Sequence, residues 1–380
     1  MVDRMYHELP VAAYTSQEWF DREQDRIFSR VWHYAGFAEE VSKPGQYLPV
    51  QAGKSNILIV MGRDHRLRAF HNICRHRGAQ LLRTTGKVQQ AITCPYHDWT
   101  YDLEGCLLTV PDAETEYPSG IDKSGLGLKP ASVGIWRGML FVHPEPPDQA
   151  PALEEWFGAV DPHVGPTQPA EMTEISMLKK SFEIKANWKI VVENFVDVYH
   201  LSHLHSATLD MFDHAKAEYG WHGPHHAFRE PMITARGDRH SSGDPGDSSD
   251  RFAWAPMLFP GIGLGVTDYT WSTYIITPLA PDLTRVETRT KIASESTWKF
   301  LREEFLSPRA WLGGRKAKVS RAESAGRKDP LTSGDFNIED IYACEQQQKS
   351  FASPFFEVGP PARGESPVIE HQRVVLDYLR

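Results

Sequence analysis

The stretch Cys74-Arg75-His76-Arg77-Gly78, followed after residues 79–93 by Cys94-Pro95-Tyr96-His97-Asp98-Trp99, decides how the first half of this chain is read. It contains two short pairs, Cys-x-His and Cys-x-x-His. Each fits a tight loop whose backbone amides can point at a sulfur and stabilise its negative charge. Four donors then converge from two loops. In a [2Fe–2S] cluster, Cys74 and Cys94 would hold one iron and His76 and His97 the other, and neutral imidazoles raise the potential above that of an all-cysteine cluster. Tetrahedral structural zinc also accepts two Cys and two His, although zinc fingers usually pair Cys with Cys and His with His. The ordering here favours iron, and with it an electron relay.

The residues around these loops read as a small all-β domain. From Tyr47 to about Val142, short β-branched and aromatic runs alternate with turn residues, and Asn56–Met61 pairs with Leu67–Phe70 as a hairpin. Upstream, Thr15 with Glu18 is a capping box before a helix that carries Trp19, Phe20, Ile27, Phe28, Val31 and Trp32. Downstream, the prolines at 144, 146, 147 and 151 make Pro144–Pro151 a linker. The second half mixes helix signals at Ala186–Leu204 and Asn337–Ser350 with strand-like runs at Gly263–Thr277 and Thr284–Ile292, the mark of an α+β domain. The expected division is a helical segment over 1–40 packing on the second domain, a cluster domain over 41–145 and an α+β domain over 152–380. Gly237–Asp250, rich in Ser, Gly, Asp and Pro, reads as a solvated loop.

Composition narrows the function classes. A chain of 380 residues with 41% hydrophobic content can bury two cores. Its longest apolar run, Asn56–Met61, is far short of the roughly 20 residues a membrane span needs, so no membrane is expected. The N-terminus lacks an apolar signal core, and a cytoplasmic location follows as the expectation. A net charge of −9 argues against nucleic acid, because phosphate binding needs clustered positive charge and the one dense basic cluster, Arg75-His76-Arg77, lies inside the metal motif. Four cysteines are too few for a disulfide framework, and Cys106 and Cys344, without a Cys or His at ligand spacing, read as buried small apolar residues.

The second informative stretch runs from Ala186 to His205. Trp188, Val191, Val192, Phe195 and Tyr199 form an apolar helical stripe, with Glu193, Asn194, Asp197 and His200 on the other side. Three histidines, His200, His203 and His205, then fall close together. His200 and His205 are about 140° out of register on a regular helix, so both reach one metal only if the helix ends or widens between them. His203 satisfies regular geometry better as a partner of His200.

Cys74-x-His76 with Cys94-x-x-His97 resembles the Rieske iron–sulfur motif, and Asp197-x-x-His200-x-x-x-x-His205 resembles the mononuclear iron motif of Rieske non-haem oxygenases. The resemblance spans nearly the whole chain. It implies an N-terminal all-β [2Fe–2S] domain and an α+β catalytic domain of helix-grip type, an antiparallel sheet with helices. It also implies a mononuclear Fe(II) held by His200, His205 and a carboxylate near the C-terminus. Asn337–Gln348 is similar to the family's carboxylate-bearing helix, with Asp340 at the ligand position and Asp335 and Glu339 as near competitors. Asp197 can accept from the second N–H of His200, and in the family the matching carboxylate bridges to a Rieske histidine, here His97, of a neighbouring subunit. A homotrimer is implied.

The family's chemistry implies a terminal oxygenase component. It takes electrons from a separate flavin-containing, NADH-dependent reductase, with or without a ferredoxin, and uses O2 as co-substrate to hydroxylate a small molecule. Gly261-x-Gly263-x-Gly265 sits in a strand-like run and offers no nicotinamide site. Trp221, Phe228, Trp254, Phe259, Tyr269, Trp271 and Tyr274 are mainly core candidates, of which a few line the pocket. They suit an aromatic substrate, the favoured expectation, or a quaternary ammonium group held by cation–π attraction and oxidatively demethylated. A Rieske electron carrier and a zinc-stabilised binding protein are the alternatives of another class.

Overall fold

In the computed structural model of the chain, residues 7–233, 251–293 and 329–380 are described. The expected loop Gly237–Asp250 lies outside them. The chain divides into two units, Arg22–Phe157 and Met1–Asp21 with Gly158–Arg380. This differs from a single N-terminal segment over 1–40. The reason is that β1 (His33–Phe37) pairs with β10 (Met139–His143), which builds the chain after Asp21 into the first unit's sheet. The N-terminal cap also shifts by one residue. Thr15 Oγ1 turns back to the Val11 carbonyl, whereas extended Ser16 separates α1 (Ala12–Thr15) from α2 (Gln17–Glu23) and its hydroxyl accepts from the Glu18 amide at 3.2 Å.

The first unit is all-β apart from short helical turns. A seven-stranded sheet runs in the order β1, β10, β9 (Pro130–Trp136), β4 (Leu67–His71), β3 (Ser55–Met61), β2 (Gln46–Ala52), β5 (Gly86–Lys87). A three-stranded sheet comprises β6 (Ile92–Thr93), β7 (Thr100–Tyr101) and β8 (Leu107–Thr109). The expected hairpin is β3–β4, with Leu58 opposite Phe70. Strand β3 explains its own near-continuous apolar run, because it is buried on both faces. Leu58 and Val60 face a core shared with Cys74, Cys94, Trp99 and Tyr101, while Ile57, Ile59 and Met61 face a second core with Val41, Leu140 and Val142. Cys106 is exposed, contrary to expectation: it lies between the buried Gly105 and Leu107 in a turn closed by Asp102, so the pleat turns its side chain outward. Residues 144–152 carry neither helix nor strand.

The second unit is an antiparallel sheet with helices. Its main path is β11 (Met172–Glu174), β19 (Leu283–Ala293), β18 (Thr270–Ala280), β17 (Ile262–Val266), β15 (Phe252–Trp254), β14 (His225–Pro231), β13 (Glu218–His222). Gly263–Thr277 is therefore two strands, broken at Thr267-Asp268-Tyr269 where the Thr267 amide bonds the Thr270 carbonyl. Helix α5 (Trp188–Val196) packs against β18, the helix Phe336–Phe351 (α7) and the helix Ser366–Leu379 (α8). It is buried all round rather than amphipathic: Lys189 and Glu193 are buried together with Trp188, Ile190 and Val192. Glu193 is satisfied there by Tyr14, whose hydroxyl donates at 2.7 Å. Of the seven aromatics noted above, Phe228, Phe259 and Trp271 are buried, and the others are half-buried. No helix among the described residues is long and apolar enough to cross a membrane.

One buried group carries a pH consequence. Burial, reinforced by His371 and His222, lowers the His226 pKa from 6.5 to about 3. The unfolded chain takes up that proton at the ordinary value, so native stability is complete above pH 6.5 and falls as pH drops from there toward 3. The expected loss is about 1.4 kcal/mol per pH unit in that window. Urea unfolding of the His226→Phe variant at a series of pH values is expected to show a correspondingly flatter acid limb.

Candidate metal centres

Two loops of matching geometry hold the first constellation. The Cys74 amide bonds the Ala79 carbonyl at 2.8 Å and the Gly78 amide returns to the Cys74 carbonyl at 3.0 Å. In the same way Cys94 bonds Trp99 at 2.9 Å and Asp98 returns to Cys94 at 3.1 Å. Each turn closes through a left-handed residue, Gly78 at φ +77° and Asp98 at φ +55°. Both cysteines are buried, and the amides of Tyr96 and His97 point at the Cys94 sulfur as the motif predicts. Burial nevertheless dominates and pushes the Cys94 thiol pKa up. The Tyr101 hydroxyl accepts from the Arg75 amide at 2.9 Å and lies 3.3 Å from Cys74 Sγ.

The imidazoles complete the set. The ring centroids of His76 and His97 are 4.7 Å apart, and His76 stacks on Trp99 at 4.8 Å and 8°. His97 Nδ1 is buried with no hydrogen-bond partner among the described residues. A buried imidazole nitrogen without a proton partner, in the loop that buries Cys94, fits a metal ligand.

The second constellation forms where α5 stops. The helix ends at Val196, Asp197 is extended (φ −68°, ψ 120°), and a short helix Leu201–Leu204 (α6) follows between His200 and His205. Between the two histidines the interruption is the end of α6 at Leu204, just before His205, rather than a widened turn. His200, His205 and Asp340 each offer one ligand atom, all within 4.8 Å of one another. Asp340 Oδ1 is 2.9 Å from His205 Nε2 and 3.6 Å from His200 Nε2. Exposed His203 is outside the group, its Nδ1 3.0 Å from the Tyr199 carbonyl.

Helix α7 separates Asp340 from its two competitors. Asp335 is the N-cap, accepting from the Asn337 amide at 2.9 Å. Glu339 points to the far edge of the same imidazole, its Oε2 2.8 Å from His205 Nδ1. Asp197 is not on a helix shared with His200, yet it reaches His200 Nδ1 at 3.1 Å while its other oxygen accepts from the Tyr199 amide at 2.7 Å. Burial disfavours a charged His205, but the hydrogen bonds and charges of Asp340 and Glu339 outweigh it and raise its pKa. The pocket thus stabilises positive charge, as a cation site must. Two imidazoles and one carboxylate are the donor set of non-haem Fe(II) oxygenases. The sequence reading missed the role of Glu339 toward His205. The signal available was its position beside Asp340, which turns the two carboxylates about 100° apart on the helix.

Residues 172–380 match the family described as the ring hydroxylating alpha subunit (catalytic domain), and residues 31–123 match the Rieske [2Fe-2S] domain. The chain belongs to the ring-hydroxylating alpha-subunit family. Within this Rieske oxygenase family it is 36% identical over 206 residues to the glycine betaine monooxygenase oxygenase subunit of Chromohalobacter salexigens, covering 54% of this chain and 44% of that protein. It is 31% identical over 218 residues to the carnitine monooxygenase oxygenase subunit of Acinetobacter baumannii, with 57% and 56% covered. To the biphenyl dioxygenase subunit alpha of Metapseudomonas furukawaii it is 29% identical over 283 residues, with 71% and 59% covered. The chain therefore spans about half the length of the curated relatives it matches. Among solved folds, a quaternary ammonium Rieske monooxygenase in complex with L-carnitine superposes with a TM-score of 0.75 at 21% identity, covering 100% of this chain and 97% of that one. Naphthalene 1,2-dioxygenase from Rhodococcus sp. superposes at 0.71 and 19%, covering 97% and 93%.

These centres predict metal content. About three irons and two sulfides per chain are expected in the purified protein. Asp340→Ala is expected to lose about one of the irons while keeping the visible spectrum of the cluster, and Cys74→Ser to lose the cluster. Iron and sulfide analysis with electron paramagnetic resonance of the reduced protein checks each outcome.

Proposed function

We propose that this chain is the terminal oxygenase of a multicomponent system and that its substrate is a small quaternary ammonium compound. Cys74, Cys94, His76 and His97 hold a [2Fe–2S] cluster in this reading, and His200, His205 and Asp340 hold a mononuclear Fe(II). The carrying observation is the cluster of His200, His205 and Asp340, whose ligand atoms lie within 4.8 Å of one another; three protein donors are fewer than an iron takes, so positions would remain for other ligands. When bound, the cluster relays single electrons and the ferrous iron supplies the dioxygen chemistry.

The protein's part is orientation and access. Asp197 holds the Nδ1 proton of His200 and thereby directs Nε2 toward Asp340. The His205 side chain is only 1% exposed, against 17% for His200 and 26% for Asp340, so access lies on the His200–Asp340 side. Phe195 and Tyr274 form an aromatic pair with centroids 6.0 Å apart. The Tyr274 hydroxyl is pushed up to about 12, first by burial and then by the Asp340 and Asp335 carboxylates, so the ring stays a neutral phenol beside the site.

An aromatic ring near carboxylates, as Tyr274 is to Asp340 and Asp335, suits a cation better than a hydrocarbon. The relatives named for glycine betaine and carnitine favour the same class over the aromatic substrate expected from the sequence. The match to a biphenyl dioxygenase subunit keeps an aromatic substrate as the second reading. A separate flavin- and NADH-dependent reductase, with or without a ferredoxin, supplies the electrons. The chains assemble as a homotrimer in which Asp197 receives them from His97 of a neighbouring copy.

Single-turnover mixing of the chemically reduced protein with labelled dioxygen tests the substrate class. Glycine betaine, carnitine or γ-butyrobetaine is expected to give labelled product. Product from biphenyl or naphthalene with none from the ammonium compounds would reverse the assignment. Asp197→Asn is expected to retain both metals but to slow turnover by at least about 100-fold. Normal turnover in that variant would remove the electron-bridging role.

A further inference from the structure

Each imidazole of the triad is gripped on its second nitrogen, but by carboxylates in different surroundings. Asp197, on His200, is partly accessible, with a side chain 16% exposed. Glu339, on His205, is sealed at 4%. A carboxylate that deep is costly unless its oxygens are bonded. Its Oε2 lies 2.8 Å from His205 Nδ1 and accepts from the Thr208 hydroxyl at 2.8 Å. Thr208 belongs to the turn that starts at His205: its amide bonds the His205 carbonyl at 3.1 Å, and its hydroxyl lies 3.5 Å from His205 Nδ1. Ring, hydroxyl and carboxylate are therefore tied to one turn and one face of α7. Glu339 cannot share the ligand role of Asp340 in this arrangement, because Nδ1 and Nε2 lie on opposite edges of the ring and the two carboxylates occupy one edge each.

We propose that Glu339, steadied by Thr208, is a positioning residue that fixes His205 in the tautomer protonated at Nδ1, so that Nε2 is permanently presented to the metal. The proton stays on Nδ1 and no bond is made or broken. The assignment rests on the reading of His200, His205 and Asp340 as the ligand set. It accounts for a buried charge that neither the metal set nor the access route uses. It also gives the two pairs different work, with Asp197 placed where another molecule can reach it and Glu339 serving the metal alone.

Anaerobic calorimetric titration with Co(II) tests this, using the full chain with its cluster retained and the mononuclear site emptied by a chelator. Glu339→Ala is expected to weaken Co(II) binding by about 10- to 100-fold. Glu339→Gln, whose amide oxygen still accepts from Nδ1–H, is expected to recover most of that loss. Thr208→Val, which leaves the carboxylate in place, is expected to weaken binding by about threefold and to alter the electron paramagnetic resonance of the bound Co(II). Wild-type affinity in Glu339→Ala, or wild-type affinity and spectrum in Thr208→Val should the alanine variant not fold, overturns the proposal. Asp340→Ala separates the two readings: if it also binds Co(II) normally, the ligand set is wrong, and if it alone loses binding, only the role of Glu339 is.

Discussion

Two imidazoles five residues apart can face one point only if the helix that carries them is interrupted, and the catalytic unit is organised around that interruption. Helix α5 is held from its N-cap: the Asn187 side chain accepts from the Lys189 amide at 3.0 Å and donates to the Pro281 carbonyl at 2.7 Å, and the Asn187 amide donates to Gln348 Oε1 of α7 at 2.8 Å. It is then buried along its length, so its end point is as fixed as its start. The extended Asp197 turns the chain, α6 spans the gap, and His200 and His205 arrive at the two ends of α6 with rings 5.0 Å apart. Asp340 arrives from α7, the helix that also reaches the α5 cap.

The same coupling explains why polar groups lie inside α5. A metal-facing helix end must not fray, because an error of about 1 Å in ligand position is costly. Packing a helix on all sides is the simplest way to hold its end still. Burial of Glu193 follows, and Tyr14 and Gln372 supply the bonds that make it tolerable. Gly263 fits this account better than a phosphate-binding role. It lies in β17, and a Cβ there would fall 2.7 Å from the Phe195 ring, so the strand needs glycine to admit that ring.

The cluster loops were readable to the residue because their chemistry is local. Cys-x-His and Cys-x-x-His each close within one turn, and the left-handed positions fall at Gly78 and Asp98, residue types that tolerate that conformation. The β3–β4 hairpin was legible for a similar reason. The exposure of Cys106 and the burial of Lys189 and Glu193 in α5 were not, because both depend on which distant element covers a given face. An interruption between His200 and His205 was legible as a geometric necessity, whereas the earlier end of α5 at Val196 was not. Composition could not say whether the helix would widen or stop, since that is decided by what packs against its end.

Discrimination among Asp335, Glu339 and Asp340 shows where sequence spacing stops and tertiary contact begins. All three carboxylates sit at or near the start of α7, where the helix dipole favours negative charge and so does not by itself single out Asp340. What separates them is where each side chain points. Asp335 turns back to cap the helix, and Glu339 and Asp340 fall on either edge of one imidazole. Their adjacency is what lets a single helix set one carboxylate against each nitrogen of His205. A swap of the two residues would therefore keep a carboxylate at each nitrogen of His205 but change its reach by one methylene, shorter at Nδ1 and longer at Nε2.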